Sequence, residues 1–480
     1  MAMAGARDAR EIERFDGEVD VLVVGLGAAG AAAALAAAAA GAETLVVERA
    51  SGGGGTSALS GGVIYLGGGT PIQKACGFDD SADDMFKYLL ACVGDAPDEE
   101  KIRLYCDGSV AHFHWLVEQG VPFKESFYYG TSGEPPTDDG LVWSGNERVH
   151  PFNQIAKPAP RGHVPRGENA VGHLLMRCLV AAVEGSAADV RTDTHCTNLV
   201  ADATGGVVGA VIRTFGEETT LRVRRGVVLT TGGFINDREM IARHCPKIAA
   251  CQLRVGSEGD DGSGVRLGVA VGANTIHMDA ASISLPVTEP WGLKRGVLVN
   301  ARGQRFVNED AYYGRLGEQA LFHHDGRAWL IVDDNCFEQP TYPRELAGVG
   351  ETPGELAAEL GLPPGSLEST LALYNQHAED GHDPVFNKLP EYVRPLATAP
   401  FGAFDCTTKN SLYAAFTLGG LETDADGRVL AAAGGVIPGL YGAGRSTSGL
   451  SVGGYSSGLS LGDGTFFGRR AGSGAAERRP

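Results

Sequence analysis

The first long apolar stretch of the chain covers residues 21–42, where 22 residues pass without a charge before Glu43. A stretch of about 20 apolar residues is long enough to cross a bilayer. This one, however, consists mainly of Ala and Gly, and no cluster of Lys or Arg flanks it as an anchor. The residues before it mix acidic and basic side chains, unlike the basic start of a signal peptide. We therefore expect neither a membrane span nor a signal peptide.

The same stretch has the pattern of a strand followed by a helix. Residues 21–24 are a short run of Val and Leu, typical of a buried parallel strand, and a helix-favouring Ala run begins a few residues later. Between them, Gly25-Leu26-Gly27-Ala28-Ala29-Gly30 has the GxGxxG spacing of a dinucleotide-binding turn. A second apolar run, residues 44–47, ends in Glu48. This order predicts a Rossmann-like α/β domain that binds a dinucleotide.

The residues of this turn have separate expected roles. Gly25 would make the tight turn, Gly27 would let the backbone approach a pyrophosphate, and Gly30 would let the helix pack closely on the strand. Ala28-Ala29 would begin the helix, whose free N–H groups and dipole favour an anion. Glu48 would accept hydrogen bonds from a ribose.

Composition and charge narrow the possible partners. The formal charge of −19 and the pI near 5.1 disfavour nucleic acid and anionic membrane surfaces. The nine cysteines form no CxxC pair, so we predict no metal site and expect a reducing cytoplasm as the location. The pair His323-His324 is not expected to bind a metal, because adjacent side chains usually point in different directions. At 480 residues, the chain is long enough for two or three domains.

A glycine-rich loop after Glu48 points to FAD rather than NAD. Residues 51–62 read SGGGGTSALSGG, where four glycines precede small hydroxyl residues. A flavoprotein uses such a loop because the phosphates and ribityl chain of FAD run past it, whereas an NAD domain has no need of it. A flexible surface loop is the alternative for this stretch alone. The predicted FAD-binding residues of the loop are Gly54, Gly55, Thr56, Ser57, Ser60, Gly61 and Gly62.

Later segments carry a resemblance to a known family. Residues 226–234 read as a buried strand that ends in a glycine turn. Residues 439–445, GLYGAGR, have the same pattern. Together with EGDDGSG at 258–264, VNARGQRFVNE at 299–309 and LGGLETD at 418–424, they resemble the flavoproteins of the fumarate reductase and succinate dehydrogenase family. The resemblance covers nearly the whole chain, and its specificity lies in the order and spacing of the segments.

The resemblance implies an FAD-binding domain interrupted by an α+β catalytic domain that caps the flavin. We expect the FAD-binding domain to comprise residues 1–277 and 406–480, and the cap to comprise residues 278–405. The His that tethers FAD in succinate dehydrogenases has no counterpart in residues 57–61, so we expect non-covalent FAD. The further FAD-binding positions that the resemblance implies are Arg49, Thr231, Gly232, Gly233, Asp260, Gly444, Arg445, Leu459, Ser460 and Leu461.

The chain departs from fumarate reductases at two substrate positions. The resemblance places a proton-delivering Arg four residues after Glu309, where this chain has Tyr313. It also places a substrate-binding His just before Thr-x-Gly-Gly, where residues 414–416 read Ala-Ala-Phe. A dicarboxylate needs cationic partners, so the expected substrate is neutral and apolar. Arg315 could compensate from the next turn, which keeps fumarate-type chemistry as an alternative.

Tyr313 and the segment 449–462, GLSVGGYSSGLSLG, look like the 3-ketosteroid dehydrogenases. The Δ1 enzymes carry a Tyr-Pro-Gly-x-Gly-like segment at the second position, whereas here Tyr455 is followed by Ser456-Ser457-Gly458. This looks more like the Δ4-(5α)-dehydrogenases, which implies a 3-ketosteroid substrate and a new double bond between carbons 4 and 5. Δ1 desaturation is the nearest alternative. A respiratory flavoprotein subunit and a non-catalytic flavin-binding module are the others.

Such a desaturation requires three protein functions. A base takes the proton beside the ketone, a donor stabilises the resulting enolate, and the flavin is held so that N5 takes the neighbouring hydrogen as a hydride. We expect Tyr455 to donate to the ketone oxygen, helped by a backbone N–H near Leu459. We expect Tyr313 with Ser457 to accept the proton, although these roles could be exchanged, and Tyr312 competes with Tyr313. The alternative is that the tyrosines only pack and the serine only caps a helix.

The helix expected to open at residues 460–464 would turn its N-terminus toward the N1 and O2 edge of the flavin and stabilise the reduced ring. No pyridine-nucleotide site is evident in the sequence. We therefore expect an electron carrier or quinone-like molecule, as yet unidentified, to reoxidise the flavin.

Overall fold

The computed structural model describes residues 5–130, 134–342 and 344–479. The strands are β1 Gly5–Asp8, β2 Gly17–Val24, β3 Thr44–Val47, β4 Ile64–Tyr65, β5 Leu141–Val142, β6 Gly162–His163, β7 Asp189–Arg191, β8 Thr194–Ala201, β9 Val207–Thr214, β10 Glu217–Leu229, β11 Leu253–Arg254, β12 Thr275–Ile276, β13 Ala281–Ser284, β14 Val297–Asn300, β15 Ala328–Asp333, β16 Leu346–Gly350, β17 Phe401–Asp405, β18 Ala414–Thr417, β19 Gly420–Leu421, β20 Arg428–Leu430 and β21 Val436–Gly442. The α-helices are α1 Ala28–Ala39, α2 Gly55–Leu59, α3 Pro71–Ala75, α4 Ala82–Cys92, α5 Glu99–Glu118, α6 Phe152–Ile155, α7 Gly172–Glu184, α8 Arg238–His244, α9 Ser263–Ala270, α10 Tyr313–Glu318, α11 Pro353–Glu359, α12 Ser366–Ala378 and α13 Leu459–Glu477.

The largest sheet gathers the predicted nucleotide-binding strands. Its order is β1-β8-β9-β10-β2-β3-β7, with β21 pairing β10 and β20 pairing β21. The strands β2, β3, β10 and β21 run parallel, with Val24 beside Val47 and Leu229 beside Gly442. Because parallel strands end at the same edge of a sheet, the segments that follow them meet there. That edge therefore carries the glycine turn, Glu48, the turn after β10 and the turn after β21.

The apolar stretch at residues 21–42 is buried inside this domain. Alternate residues of β2 enter two cores on opposite faces of the sheet, Val21 and Val23 on one and Leu22 and Val24 on the other. Helix α1 packs along α13, where a Cβ at Gly472 would lie 2.1 Å from a backbone oxygen of α1. Such close approach explains why the stretch is built from Ala and Gly. Among the described residues, no helix is long and apolar enough to cross a membrane.

Glycine turns end two of the regular elements. The strand and glycine turn predicted over 226–234 are present, because β10 ends at Leu229 and the chain then turns through Gly232, whose φ is +81°. Helix α9 ends at Ala270, and Gly272 follows with a φ of +91°. In both places a glycine in the left-handed region ends the regular structure.

A second, antiparallel sheet lies within the range predicted for the cap. Its order is β14-β15-β17-β16, it spans residues 297–405, and α11 packs against β16 and β17. A small sheet of β11, β18 and β13 connects the cap to the rest, because β13 belongs to the predicted cap while β18 follows it. The boundaries at 277/278 and 405/406 remain a prediction.

Candidate active site

The glycine turn between β2 and α1 closes tightly. Gly25 has a φ of +102°, and a Cβ at Gly30 would lie 1.9 Å from the carbonyl oxygen of Gly25. Gly27 caps α1, and no side chain of the described chain makes an N-cap hydrogen bond there. Ala28 N–H has only the hydroxyl of Ser57 nearby, at 3.3 Å. The first turn of α1 therefore keeps N–H groups available for an anion.

Glu48 follows β3 and stands beside this turn. Its Oε2 accepts the N–H of Leu26 at 2.7 Å, and its Oε1 accepts the N–H of Ala50 at 2.8 Å. Each carboxylate oxygen has a second lone pair, so a ribose hydroxyl can still donate to it. The next residue, Arg49, is paired with Asp261 at 2.7 Å.

These residues line a cavity of about 370 Å³, within the range of ligand pockets in proteins. We call the part lined by residues 25–29, 48–49 and 55–62 the nucleotide region. The FAD-binding residues predicted from the sequence that line the cavity are Gly25, Gly27, Ala28, Ala29, Glu48, Arg49, Gly55, Thr56, Ser57, Ser60, Gly61, Gly62, Thr231, Gly232, Asp260, Gly444, Arg445, Ser460 and Leu461.

Four residues predicted to bind FAD are not on the cavity wall. Gly30 packs α1 against β2, and Gly54 turns the chain into α2 while its N–H donates to Leu26 at 2.7 Å. Gly233 lies against Thr417, whose hydroxyl would be 2.5 Å from a Cβ there. The side chain of Leu459 is buried in the core. These residues shape the wall from behind rather than forming it.

The structure adds cavity residues that the sequence did not indicate. They come from the start of β8 and from the segment before and into α9. No local pattern marks them, because their approach depends on sheet pairing, such as the N–H of Thr194 donating to Glu48 O at 2.9 Å. The principal additions are Thr194, His195, Cys196, Val255, Ser257 and Ser263.

Asp260 ties three segments of the cavity wall together. Its Oδ2 accepts from the guanidinium of Arg445 at 2.5 Å and from the hydroxyl of Thr56 at 2.9 Å. Gly232 must be glycine, because a Cβ there would lie 2.1 Å from Asp260 Oδ1. Asp260 is 3% exposed, so this ion pair is buried. It fixes Arg445 beside the ring of Phe416, 5.4 Å from its centroid.

The predicted catalytic residues come together on the same cavity. We call the part lined by Tyr312, Tyr313, Tyr455 and Ser457 the tyrosine region. The two adjacent tyrosines stand at the start of α10 with ring centroids 4.1 Å apart. The N–H of Ser460, in the first turn of α13, donates to the Tyr455 hydroxyl at 3.1 Å. The backbone of Ser457 is held by a hydrogen bond from its N–H to Ser144 O at 2.8 Å.

Burial keeps the phenols of the tyrosine region protonated. It raises the pKa of Tyr313 to about 12, although hydrogen bonding with Tyr312 and Ser457 opposes the rise. Burial also raises the pKa of Tyr455 above its usual value, and the pKa of Tyr312 further still. At neutral pH these groups are therefore hydrogen-bond donors, and none of them is a ready base.

The cations near the cavity are already neutralised. Of the arginines that line it, Arg49 is paired with Asp261 and Arg445 with Asp260. Arg315 is not among the described residues of the wall, and its guanidinium lies over the ring of Phe152 at 5.3 Å. Arg315 therefore does not replace the cation that a dicarboxylate would need.

The residues present fit FAD. Two helix N-termini, those of α1 and α13, contribute to the cavity, and in the described chain neither has an N-cap side chain. Glycines in the turn, in the loop before α2 and after β10 leave space where side chains would collide with the wall. Unblocked N–H groups, small hydroxyls and one acid match a diphosphate and a ribose. Within the described part of the chain, no group of three or more metal-ligating side chains is present.

Comparison with known proteins agrees with this geometry. The crystal structure of the 3-ketosteroid-Δ4-(5α)-dehydrogenase from Rhodococcus jostii RHA1, in complex with 4-androstene-3,17-dione, is 47% identical, with a TM-score of 0.94 over 99% of this chain and 100% of that chain. The 3-oxo-5-alpha-steroid 4-dehydrogenase of Comamonas testosteroni is 29% identical over 88% of this chain and 92% of its own length. The resemblance stated on Tyr313 and residues 449–462 is thereby confirmed.

Other relatives catalyse different reactions, as their names indicate. The NADH:acrylate oxidoreductase of Vibrio harveyi is 31% identical over 77% of this chain, which spans only 36% of that protein's length. The model of the family described as FAD binding domain matches residues 20–461. The chain therefore belongs to the FAD-binding domain family of flavoproteins, which confirms the α/β fold and the FAD that the sequence predicted.

Proposed function

We propose that this protein is an FAD-dependent dehydrogenase that introduces a double bond between carbons 4 and 5 of a 5α-3-ketosteroid. The tyrosine region carries the proposal, because it offers neutral hydroxyl groups to a ketone and no free cation of the described wall to a carboxylate. The 47% identity to the Rhodococcus jostii enzyme over nearly the whole chain supports the 4,5 position over the Δ1 alternative.

The nucleotide region would hold FAD without a covalent bond, with Thr231, Gly232, Asp260 and residues 444–445 completing the site. Bound FAD supplies the acceptor for the hydride that leaves carbon 5. The N-terminus of α13, at Ser460 and Leu461, carries the positive end of a 19-residue helix toward the cavity. That end favours the negative charge of a reduced cofactor.

Tyr455 would hold and polarise the ketone oxygen. Its hydroxyl accepts the N–H of Ser460, so its own proton is left to donate to the substrate. Because burial raises its pKa, Tyr455 keeps that proton at neutral pH. A preorganised donor at this place stabilises the enolate that forms when carbon 4 loses its proton.

Ser457 and Tyr313 would receive that proton. Both line the cavity, and the interaction of Tyr313 with Ser457 opposes the rise that burial causes in the pKa of Tyr313. A hydroxyl can accept the proton from carbon 4 only if its own proton moves on at the same time, so the pair acts as a relay. The order of the two within the relay stays open, and Tyr312, which lines the same wall, competes with Tyr313.

We also infer the setting of the reaction. The substrate would be a neutral, apolar steroid, and an electron carrier or quinone-like acceptor would reoxidise the flavin. The cytoplasm is the expected location, because the cysteines show no sign of an oxidising compartment. The cap at 278–405 would close the site between the two domains, where water can be excluded.

The test is anaerobic bleaching of the flavin of the purified holoenzyme near its yellow absorbance band. 5α-Androstane-3,17-dione, 4-androstene-3,17-dione and succinate are added in parallel, and products are identified by mass spectrometry. We expect bleaching by the 5α-saturated ketone alone, with a 4-ene-3-one as product. Bleaching by the 4-ene compound would move the assignment to Δ1 chemistry, and bleaching by succinate alone would contradict the proposal.

A further inference from the structure

A second cavity lies behind the tyrosine region. It measures about 110 Å³ and shares Tyr312, Tyr313 and Ser457 with the first cavity. A cavity needs about 10–15 Å³ of such space to hold one water molecule, so this one has room for several. Its remaining wall comes from residues 128 and 130, from the segment 142–149 and from the predicted cap, including Asp310 and Lys294. The hydroxyls proposed to receive the substrate proton are thus the partition between the two cavities.

The relay hydroxyls need a final acceptor, and the tyrosine region does not contain one. Each turnover leaves one proton from carbon 4 on Ser457 or Tyr313. Neither is a base at neutral pH, since burial raises the pKa of Tyr313 to about 12. The proton must therefore pass to an ionised group on the other side of the partition.

Asp310 has the properties of such an acceptor. It lies on the wall of the second cavity and is 4% exposed. Its Oδ2 accepts the N–H of Leu389 at 2.8 Å, while its Oδ1 has no hydrogen-bond partner among the described residues. Lys388, a cation that acts on Asp310, is already bound to Glu309 at 2.8 Å and to Gly296 O at 2.7 Å. Asp310 is therefore a buried carboxylate with one oxygen free to take a proton.

Lys294 faces Asp310 across the same cavity. Its Nζ lies over the rings of Trp291 and Tyr392, at 5.0 and 5.3 Å from their centroids, and forms no ion pair with any described residue. The charges that act on Asp310 include those of Lys388, Glu309 and Lys294, and Asp310 in turn raises the pKa of Tyr392. Among the described residues, Glu147, Arg148 and Glu289 are the other charged or titratable acidic and basic residues that line the cavity. The positive charge of Lys294 favours the ionised form of Asp310, against the burial that raises the pKa of that carboxyl.

We propose that the second cavity is the proton exit of the reaction and that Asp310 takes the substrate proton from the Tyr313–Ser457 relay through water. The inference rests on the proposed function. The C4–H bond breaks and its electron pair stays on the substrate as the enolate. The relay hydroxyl that gains this proton releases its own toward the Asp310 carboxylate, which passes it to solvent. The hydride leaves carbon 5 for the oxidised FAD, so no further oxidant is needed.

The experiment measures the rate of anaerobic flavin bleaching by 5α-androstane-3,17-dione between pH 5.5 and 9.5. It compares the holoenzyme with Asp310→Asn, and with Glu391→Gln as the matched control. Glu391 lies near the cavity, paired with Arg148, but does not line it. At pH 7 we expect Asp310→Asn to bleach at least tenfold more slowly and to gain rate as pH rises. Glu391→Gln should stay within twofold of wild type, and all three should bind 4-androstene-3,17-dione with similar affinity.

A second variant keeps the inference testable if Asp310→Asn does not fold. Lys294→Met removes a cation that favours ionised Asp310, so the acid limb of the wild-type rate profile should move to higher pH. An unmoved acid limb would overturn the proposal, as would an Asp310→Asn enzyme with the wild-type rate and profile. So would a slow Asp310→Asn enzyme that has also lost product affinity and any pH dependence, which indicates a structural role. A wild-type enzyme that no 5α-3-ketosteroid bleaches would instead refute the proposed function itself.

Discussion

The nucleotide region and the tyrosine region are walls of one cavity, but they are built differently. The nucleotide region presents mainly backbone N–H groups and small hydroxyls, placed by a glycine turn and a helix N-terminus that are contiguous in the chain. The tyrosine region presents side-chain hydroxyls from two segments more than 140 residues apart, 312–313 and 455–457. A cofactor common to a large family needs only the first kind of wall. The chemistry that distinguishes one family member from another depends on the second.

The ion pair of Arg445 and Asp260 joins the two regions, so breaking it should have the largest effect on stability. Arg445→Met leaves the Asp260 carboxylate buried, with Thr56 as its remaining side-chain donor among the described residues. Loss of one partner of a buried pair costs about 3–5 kcal/mol. We expect a lower midpoint of urea unfolding at saturating FAD. The double variant with Asp260→Asn should recover part of the loss, and a double variant no better than the single would contradict this account.

Tyr455 tests the tyrosine region alone. Tyr455→Phe removes the donor to the ketone, and loss of one such donor costs a factor of about 10²–10³ in rate. We expect the rate of flavin bleaching to fall by that factor, while FAD content stays that of wild type because the nucleotide region is untouched. The matched control is Tyr413→Phe, since that hydroxyl donates to Cys406 O at 2.8 Å away from the cavity wall. A decrease in the bleaching rate of less than fivefold would contradict the proposed role of Tyr455.

The same contrast explains how much of the site could be predicted from the sequence. The strand, turn and helix of the nucleotide region are adjacent in the chain, so their roles follow from local spacing, and β3 lies at the predicted residues 44–47. The resemblance supplied Tyr313, Tyr455 and Ser457, and the structure brings them to one wall. Residues 194–196 were missed, because only the pairing of distant strands brings them to the cavity. The role of Leu459 stays a prediction, because its side chain is buried while the prediction concerns its backbone.

Glu147 lines the second cavity and tests how strongly the protein behind the tyrosine region disfavours charge. Burial raises the pKa of this carboxyl from 4.5 to about 7. A raised pKa of an acid means stability that is present below pH 4.5 and is lost as pH rises through 7. At about 1.4 kcal/mol per tenfold change, the loss is about 3 kcal/mol. Glu147→Gln does not titrate, and its amide oxygen can still accept the N–H of Gly145.

We therefore expect Glu147→Gln to gain stability relative to wild type between pH 5 and pH 8, by about 2–3 kcal/mol. The measurement is the difference between the two unfolding midpoints at each pH, in which the titration of all other groups cancels. A difference that stays constant across this range would mean that Glu147 is ionised in the folded protein. The protein behind the tyrosine region would then tolerate an ionised carboxylate as well as the nucleotide region does.

Gly30 and Gly52 test the nucleotide region by the same substitution at two glycines. A Cβ at Gly30 would lie 1.9 Å from the carbonyl oxygen of Gly25, whereas a Cβ at Gly52 would meet nothing within 4 Å. Forcing a methyl group into a packed site costs about 1–3 kcal/mol. Gly30→Ala must push α1 away from β2 and carry its N-terminal N–H groups with it. We expect its dissociation constant for FAD, measured by flavin fluorescence, to rise about tenfold, which corresponds to about 1.4 kcal/mol.

Gly52→Ala is the control, and it should bind FAD as wild type does. Equal affinities of the two variants would show that the nucleotide region adapts by moving its backbone, and that close helix–strand packing is not what positions the cofactor.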